Sequence, residues 1–178
     1  MSYILTYKKV EFYPLEPKTE DIDVEDIAHA LSLLCRANGH FKHFYSVGLH
    51  SLNCAYEAKA RGYSKRVMLG CLLHDGSEAY LADITRPVKK HLQKYLEIEE
   101  VLQDKIFEKW IPGLTPEEKK QIFEIDDAIL YYEFLDLFKE KIFDVTPTLV
   151  SSPRFEFIEF SSVEQEFLQL FSDLTKEI

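Results

Sequence analysis

Apolar residues in this chain recur mostly at intervals of three and four, the period of helices with one buried face. Ile27, Ala30, Leu31, Leu34 and Cys35 form the first such set. Asp23 precedes them as an N-cap, and Asp26 three residues on makes a near capping box. Asn38-Gly39 is a stop signal. A second helix is expected over about 46–60, capped by Ser46, with Val47, Leu52, Cys54 and Ala55 inward. Ser64 caps a third, over about 65–75. Pro87 suits the first position of a helix that continues, with breaks, to about 110, where Pro112-Gly113 interrupts it. Thr115-Pro116-Glu117-Glu118 combines a cap, a first-position proline and a third-position glutamate, so a long helix should run to about 139. Ser161-x-x-Glu164 should cap a last helix, with Val163, Phe167, Leu170 and Phe171 inward.

Two regions depart from this period. Tyr3–Thr6 and Glu11–Tyr13 are β-prone and predict a short hairpin. Residues 143–160 carry Pro147, Pro153 and a β-prone stretch over 155–160, and predict a loop or a short ribbon. With no repeat, low-complexity tract or linker, the pattern is an all-α single domain over 1–178, its core about 21–140.

Composition narrows the function classes. The net charge is −10 on 178 residues. So acidic a surface is a poor platform for nucleic-acid backbones or anionic membranes, while a small phosphorylated ligand stays compatible if local cations and a metal reverse the field in a pocket. No apolar run approaches the roughly 20 residues of a membrane span. The stretch Met1–Lys8 lacks the apolar core and cleavage site of a signal peptide. Cys35, Cys54 and Cys71 lie far apart in apolar patterns and read as buried reduced thiols, so a cytoplasmic location is expected.

The chemistry-bearing stretch is Leu69-Gly70-Cys71-Leu72-Leu73-His74-Asp75-Gly76-Ser77-Glu78. An apolar run ends in adjacent His and Asp, costly groups to bury unpaired. Glu78 is four residues from His74 and three from Asp75, so all three share a helix face. The spot reads as a metal site with an acid/base group beside it. His50, in an otherwise core-facing helix, is the upstream candidate ligand; Asp126 or Asp127, in a mid-helix apolar run, is the downstream one. Two imidazoles and two carboxylates suit a divalent transition metal.

The order His … His-Asp … Asp resembles the HD-domain metal-dependent phosphohydrolases. Arg36, Gly39-His40, Phe44-Tyr45-Ser46-Val47, His50-Ser51, Leu72-Leu73-His74-Asp75, Glu78-Ala79-Tyr80-Leu81-Ala82-Asp83 and Pro87-Val88-Lys89 are similar to a branch of small bacterial and phage proteins related to the 5′-deoxynucleotidases. The resemblance implies an HD-domain helical bundle with His50, His74, Asp75 and Asp127 as ligands of a divalent ion (cobalt, manganese, zinc, nickel or iron). Asp127 is preferred to Asp126 because Asp127-Ala128 matches the family's Asp-Ala step. Glu78 falls on the catalytic carboxylate, with Asp75 also in the catalytic set. Arg36, His40, His43, Asp83 and Lys89 fall on the substrate side, Asp83 at the sugar hydroxyl. Ala37 replaces a bulky aromatic, His43 stands where relatives carry Arg or Lys, and Leu49 replaces a polar residue. The implied activity is release of phosphate from (deoxy)nucleoside 5′-monophosphates by a metal-activated water. A triphosphohydrolase of the same fold and a non-catalytic nucleotide-binding protein are the alternatives. The expected partner is a small-molecule nucleotide, with no nucleic acid and no membrane. Relatives suggest a homodimer, for which the aromatic-rich segment 131–160 is either interface or core.

Overall fold

The computed structural model describes residues 2–176. Two short strands, β1 (Ile4–Leu5) and β2 (Glu11–Phe12), pair antiparallel, with Ile4 opposite Phe12. The rest is helical: α1 (Val24–Leu33), α2 (Val47–Ala60), α3 (Lys65–Leu73), α4 (Glu78–Leu81), α5 (Arg86–Lys89), α6 (Gln93–Trp110), α7 (Pro116–Leu137) and α8 (Phe160–Thr175). The architecture is the expected all-α bundle with a small N-terminal hairpin. Phe12 fixes that hairpin by stacking on Tyr80 with ring centroids 4.1 Å apart.

The start signals act as physical chemistry dictates. Ser46, Ser64 and Thr115 each accept a hydrogen bond from a backbone N–H in the first turn of their helices, and Glu118 completes the capping box with Thr115. Asp23 caps α1, but Asp26 does not close a box; its Oδ1 accepts from the Lys8 backbone N–H at 2.7 Å instead. Two boundaries differ from expectation. Helix α1 ends at Leu33 rather than at Asn38-Gly39, because Leu34 and Cys35 turn extended, so that the Leu34 carbonyl accepts from Val47 N–H and Arg36 N–H donates to the Tyr45 carbonyl. Helix α8 starts at Phe160, so Ser161 lies inside it and does not cap it. The helix after Pro87 has the break foreseen for it, falling into α5 and α6.

Helix α2 is the central rod. Eleven of its fourteen residues are buried, so it is covered on nearly every side, with His50, Ser51, Asn53 and Glu57 as polar groups among them. It packs along α3, α7 crosses both, and α1 and α8 pack together and cover them. Close approach of α3 to α7 depends on Gly70, where an added Cβ would collide with the Ile122 side chain. Gly70→Ala should therefore cost about 1–3 kcal/mol in denaturant unfolding, by overpacking the seam that aligns α3 with α7.

Residues 143–159 form no strand and run as a strap over α2. Two buried polar residues of α2 pin it. Asn53 donates to the Arg154 carbonyl and accepts from its N–H. Glu57 accepts from the N–H groups of Val150 and Ser151, from the Ser151 hydroxyl at 2.6 Å, and from Arg61 Nε at 2.7 Å. Burial pushes the Glu57 pKa up, but the bonds from Ser151 and Arg61 outweigh it and hold it below the usual carboxylate range. A depressed folded-state pKa contributes stability that is complete above the unfolded value of about 4.3 and is lost as pH falls through the folded one. Glu57→Gln should accordingly lower stability at pH 7 by about 1–3 kcal/mol. The gap from the parent should narrow on acidification in urea melts run at several pH values.

Candidate metal centre

His50 sits on the buried face of α2, four residues past Ser46, and is fully buried. His74 is the C-cap of α3. Each ring is oriented through Nδ1. His50 Nδ1 lies 2.6 Å from Glu133 Oε1, and His74 Nδ1 lies 2.7 Å from the Cys71 carbonyl. An oxygen acceptor at Nδ1 fixes the proton there and leaves Nε2 with a lone pair. The two Nε2 atoms face each other at 3.2 Å.

Carboxylates complete this convergence. Asp126 Oδ1 is 3.1 Å from His50 Nε2 and 3.7 Å from His74 Nε2. Asp75 Oδ2 is 3.4 Å from His74 Nε2 and 3.8 Å from His50 Nε2. Donors each about 2.1 Å from a shared ion stand about 3.0–3.4 Å apart, so this set fits a divalent metal. Cys54 adds a thiol 3.5 Å from His50 Nε2, and the donor atoms of His50, Cys54 and His74 lie within 4.8 Å of one another. Cys54 is thus beside the site rather than simply in the core. Burial pushes its thiol up to about 11.

Asp127, the expected fourth ligand, is turned elsewhere. Its Oδ1 accepts from Arg86 Nη1 at 2.7 Å. The reason is helical phase. Ile122, Asp126, Ile129 and Glu133 recur at i, i+4, i+7 and i+11 along one stripe of α7, facing α2 and α3. Asp127 lies about 100° around from it. Of the two aspartates, the fold brings Asp126 and not Asp127 to the imidazole pair.

Glu133 was not foreseen. It is fully buried and accepts from both His50 Nδ1 and Arg36 Nε, the latter at 3.2 Å. Burial works against its charge, but Arg36 and His50 keep its pKa below the usual range. Its position two turns beyond Asp126 on the same stripe was the available signal. Burial likewise opposes the charge of Asp126, yet hydrogen bonds with His50 and His74 hold its pKa well below the ordinary value.

A cavity of about 400 Å³ opens beside these groups, lined by Arg36, Asp75, Glu78, Asp83, Lys89 and Asp126 among others. Its far wall is apolar, with Phe41, Leu130, Phe134 and Phe143. Glu78 is buried and its Oε2 has no hydrogen-bond partner. Burial, then the charges of Asp75 and Asp83, push its pKa well above the usual range against Arg36 and Lys89. Asp83 is also raised, chiefly by burial. It is delivered to the cavity by Ala82, whose φ of 100° is strained for a residue with a side chain, and whose carbonyl is held by the Tyr95 hydroxyl at 2.7 Å. Arg36 Nη1 donates to Asp75 Oδ2 at 3.3 Å. Lys89 pairs with Glu99 at 2.6 Å and stands 3.8 Å from Glu78. Two substrate-side expectations are not brought here. His40 is exposed and does not line the cavity, and His43 Nε2 donates to the Phe155 carbonyl at 2.8 Å.

The HD-domain sequence profile matches residues 35–141, more than half of the chain. The chain belongs to the HD-domain family. This HD domain is 36% identical over 137 residues to the uncharacterized protein YfdR of Escherichia coli K12, covering 77% of the chain and 73% of that protein. It is 35% identical over 122 residues to an uncharacterized protein of Rhodobacter capsulatus, covering 65% of the chain and 62% of that relative's length. Family membership supports a metal-dependent hydrolase in general. No helix among the described residues is long and apolar enough to cross a membrane.

The two aspartates of α7 give opposed expectations for this HD domain. Titration calorimetry with manganese or zinc should find binding lost in Asp126→Ala and retained in Asp127→Ala.

Proposed function

We propose that this HD-domain protein is a divalent-metal-dependent phosphohydrolase that releases phosphate from (deoxy)nucleoside 5′-monophosphates. The observation that carries the reading is the junction of two unlike surfaces. The donors His50, His74, Asp75 and Asp126 converge beside a cavity that Asp75 and Asp126 line together with Phe41, Phe134 and Phe143. A divalent ion held by those donors supplies Lewis-acid polarisation of a phosphoryl oxygen and acidifies a water toward neutral pH.

The chain's own groups do the rest. Arg36 is held rigid by Asp75 and Glu133, and its Nη2 has no hydrogen-bond partner among the described residues, leaving a donor for a phosphoryl oxygen. Glu78, whose pKa burial and the neighbouring carboxylates push well above the usual range, is the group that gives a proton to the leaving sugar oxygen. Asp83 accepts from a sugar hydroxyl. Phe41, Phe134 and Phe143 offer faces and edges to a base.

Charge favours the monophosphate over the triphosphate. The cations lining the cavity are Arg36, Arg86 and Lys89, and each is already paired with carboxylates. Little positive charge is left over for a polyphosphate tail.

Metal-stripped protein resupplied with manganese, cobalt, zinc, nickel or iron should release inorganic phosphate from deoxynucleoside monophosphates, and chelator should stop it. Glu78→Gln should keep metal affinity and lose about 10²–10⁴ in kcat. Triphosphate as the product would move the activity to the other enzyme class. Nucleotide binding with no turnover under any metal would leave a binding protein and sink the enzyme reading.

A further inference from the structure

Arg86 is the residue of this region to which no motif assigned a role. It opens α5 on the rim of the cavity, and its side chain is 53% exposed. Both terminal amino groups are nonetheless engaged. Nη2 donates to Asp126 Oδ2 at 2.9 Å and Nη1 to Asp127 Oδ1 at 2.7 Å. The two aspartates are successive on α7, so their side chains diverge by about 100°. A planar guanidinium fork spans that divergence with two fixed donors; an ammonium offers a single point charge.

The consequence lies at Asp126. One of its oxygens is taken by Arg86, and the other, Oδ1, is the atom 3.1 Å from His50 Nε2. The carboxylate is thereby divided between an outer partner and the imidazole pair. Glu133 does the equivalent for His50, and the Cys71 carbonyl does it for His74. Each of these three donor groups has its own orienting contact.

We propose that Arg86 is a positioning residue for the metal. Resting on the reading above, it holds Asp126 with Oδ1 turned to the imidazole pair that would hold the ion, and it ties the rim of the cavity to that group through α5. A half-exposed ion pair adds little to folding stability, whereas an outer partner of a metal ligand typically sets 10–100-fold in metal affinity. The effect of Arg86 should therefore appear in metal binding and hardly at all in the stability of the metal-free chain.

The test titrates manganese into metal-stripped parent, Arg86→Ala, Arg86→Lys and Asp127→Asn proteins, following free Mn²⁺ by electron paramagnetic resonance, with thermal melts of each metal-free protein. Arg86→Ala should weaken binding 10–100-fold with its melt within a few degrees of the parent. Arg86→Lys should recover part of that loss. Asp127→Asn, which leaves the contact to Asp126, should lose less than Arg86→Ala. Arg86→Ala binding within twofold of the parent would overturn the proposal while leaving the metal reading intact. A raised KM for nucleotide at unchanged metal affinity would overturn it too, by making Arg86 a substrate contact. A parent that binds no divalent metal would bring down both readings together.

Discussion

Two buried imidazoles face each other at 3.2 Å with their other nitrogens already committed to oxygen acceptors. That arrangement governs everything around it. Burial and Arg36 work against a charge on His50, yet Cys54, Glu133 and the hydrogen bond to Asp126 raise its pKa well above the ordinary value. Burial also opposes the charge on His74, and Asp75 and Asp126 raise it. The carboxylates thus favour positive charge at the imidazole pair, while burial and the short gap between the rings oppose placing it on both. A bound cation satisfies the same carboxylates without that conflict. Isolated charges at such depth cost several kcal/mol each, and apolar residues of the same volume would pack without that penalty. So dense a buried network is therefore better explained by a ligand than by stability.

Holding three helices at that separation is what the rest of the fold accomplishes. His50 comes from α2, His74 and Asp75 from the end of α3, and Asp126 and Glu133 from α7. The α3–α7 distance is set where Gly70 meets Ile122, four residues before Asp126 on the same stripe. The strap over residues 146–155 closes the far side of α2 through Asn53 and Glu57, which lie three and seven residues beyond His50. One helix thus carries the anchor for its covering and the ligand for its site along adjacent turns.

Local features were legible in the sequence because their causes are local. Caps at Asp23, Ser46, Ser64 and Thr115 rest on bonds within one turn, and His74, Asp75 and Glu78 were grouped by spacing alone. What escaped depended on distant partners. Glu133 stands among Tyr131, Tyr132 and Phe134 as one more polar residue, and only Arg36, 97 positions earlier, and His50 reveal its task. His43 was expected on the substrate side, but its ring N–H donates to a carbonyl 112 residues away. The early end of α1 has the same origin, since residues 34–36 exchange a helical continuation for backbone pairing with 45–47. The choice between Asp126 and Asp127 was different in kind: both lay in view, and the phase of buried Ile122, Ile129 and Glu133 already separated them.

The cavity's charge balance also implies an order of events. Asp75, Glu78, Asp83 and Asp126 line it against Arg36, Arg86 and Lys89, and Glu133 stands behind Arg36. Protonation of Glu78 removes one negative charge, yet the remaining carboxylates still neutralise the cations pair by pair. A phosphate monoester entering that field would gain little, because each guanidinium it approaches is already balanced. Two positive charges added at the imidazole pair tip the sum, and the free edge of Arg36 then acts on a phosphate with no net opposition. For the proposed phosphohydrolase, metal binding would therefore precede productive nucleotide binding for electrostatic reasons.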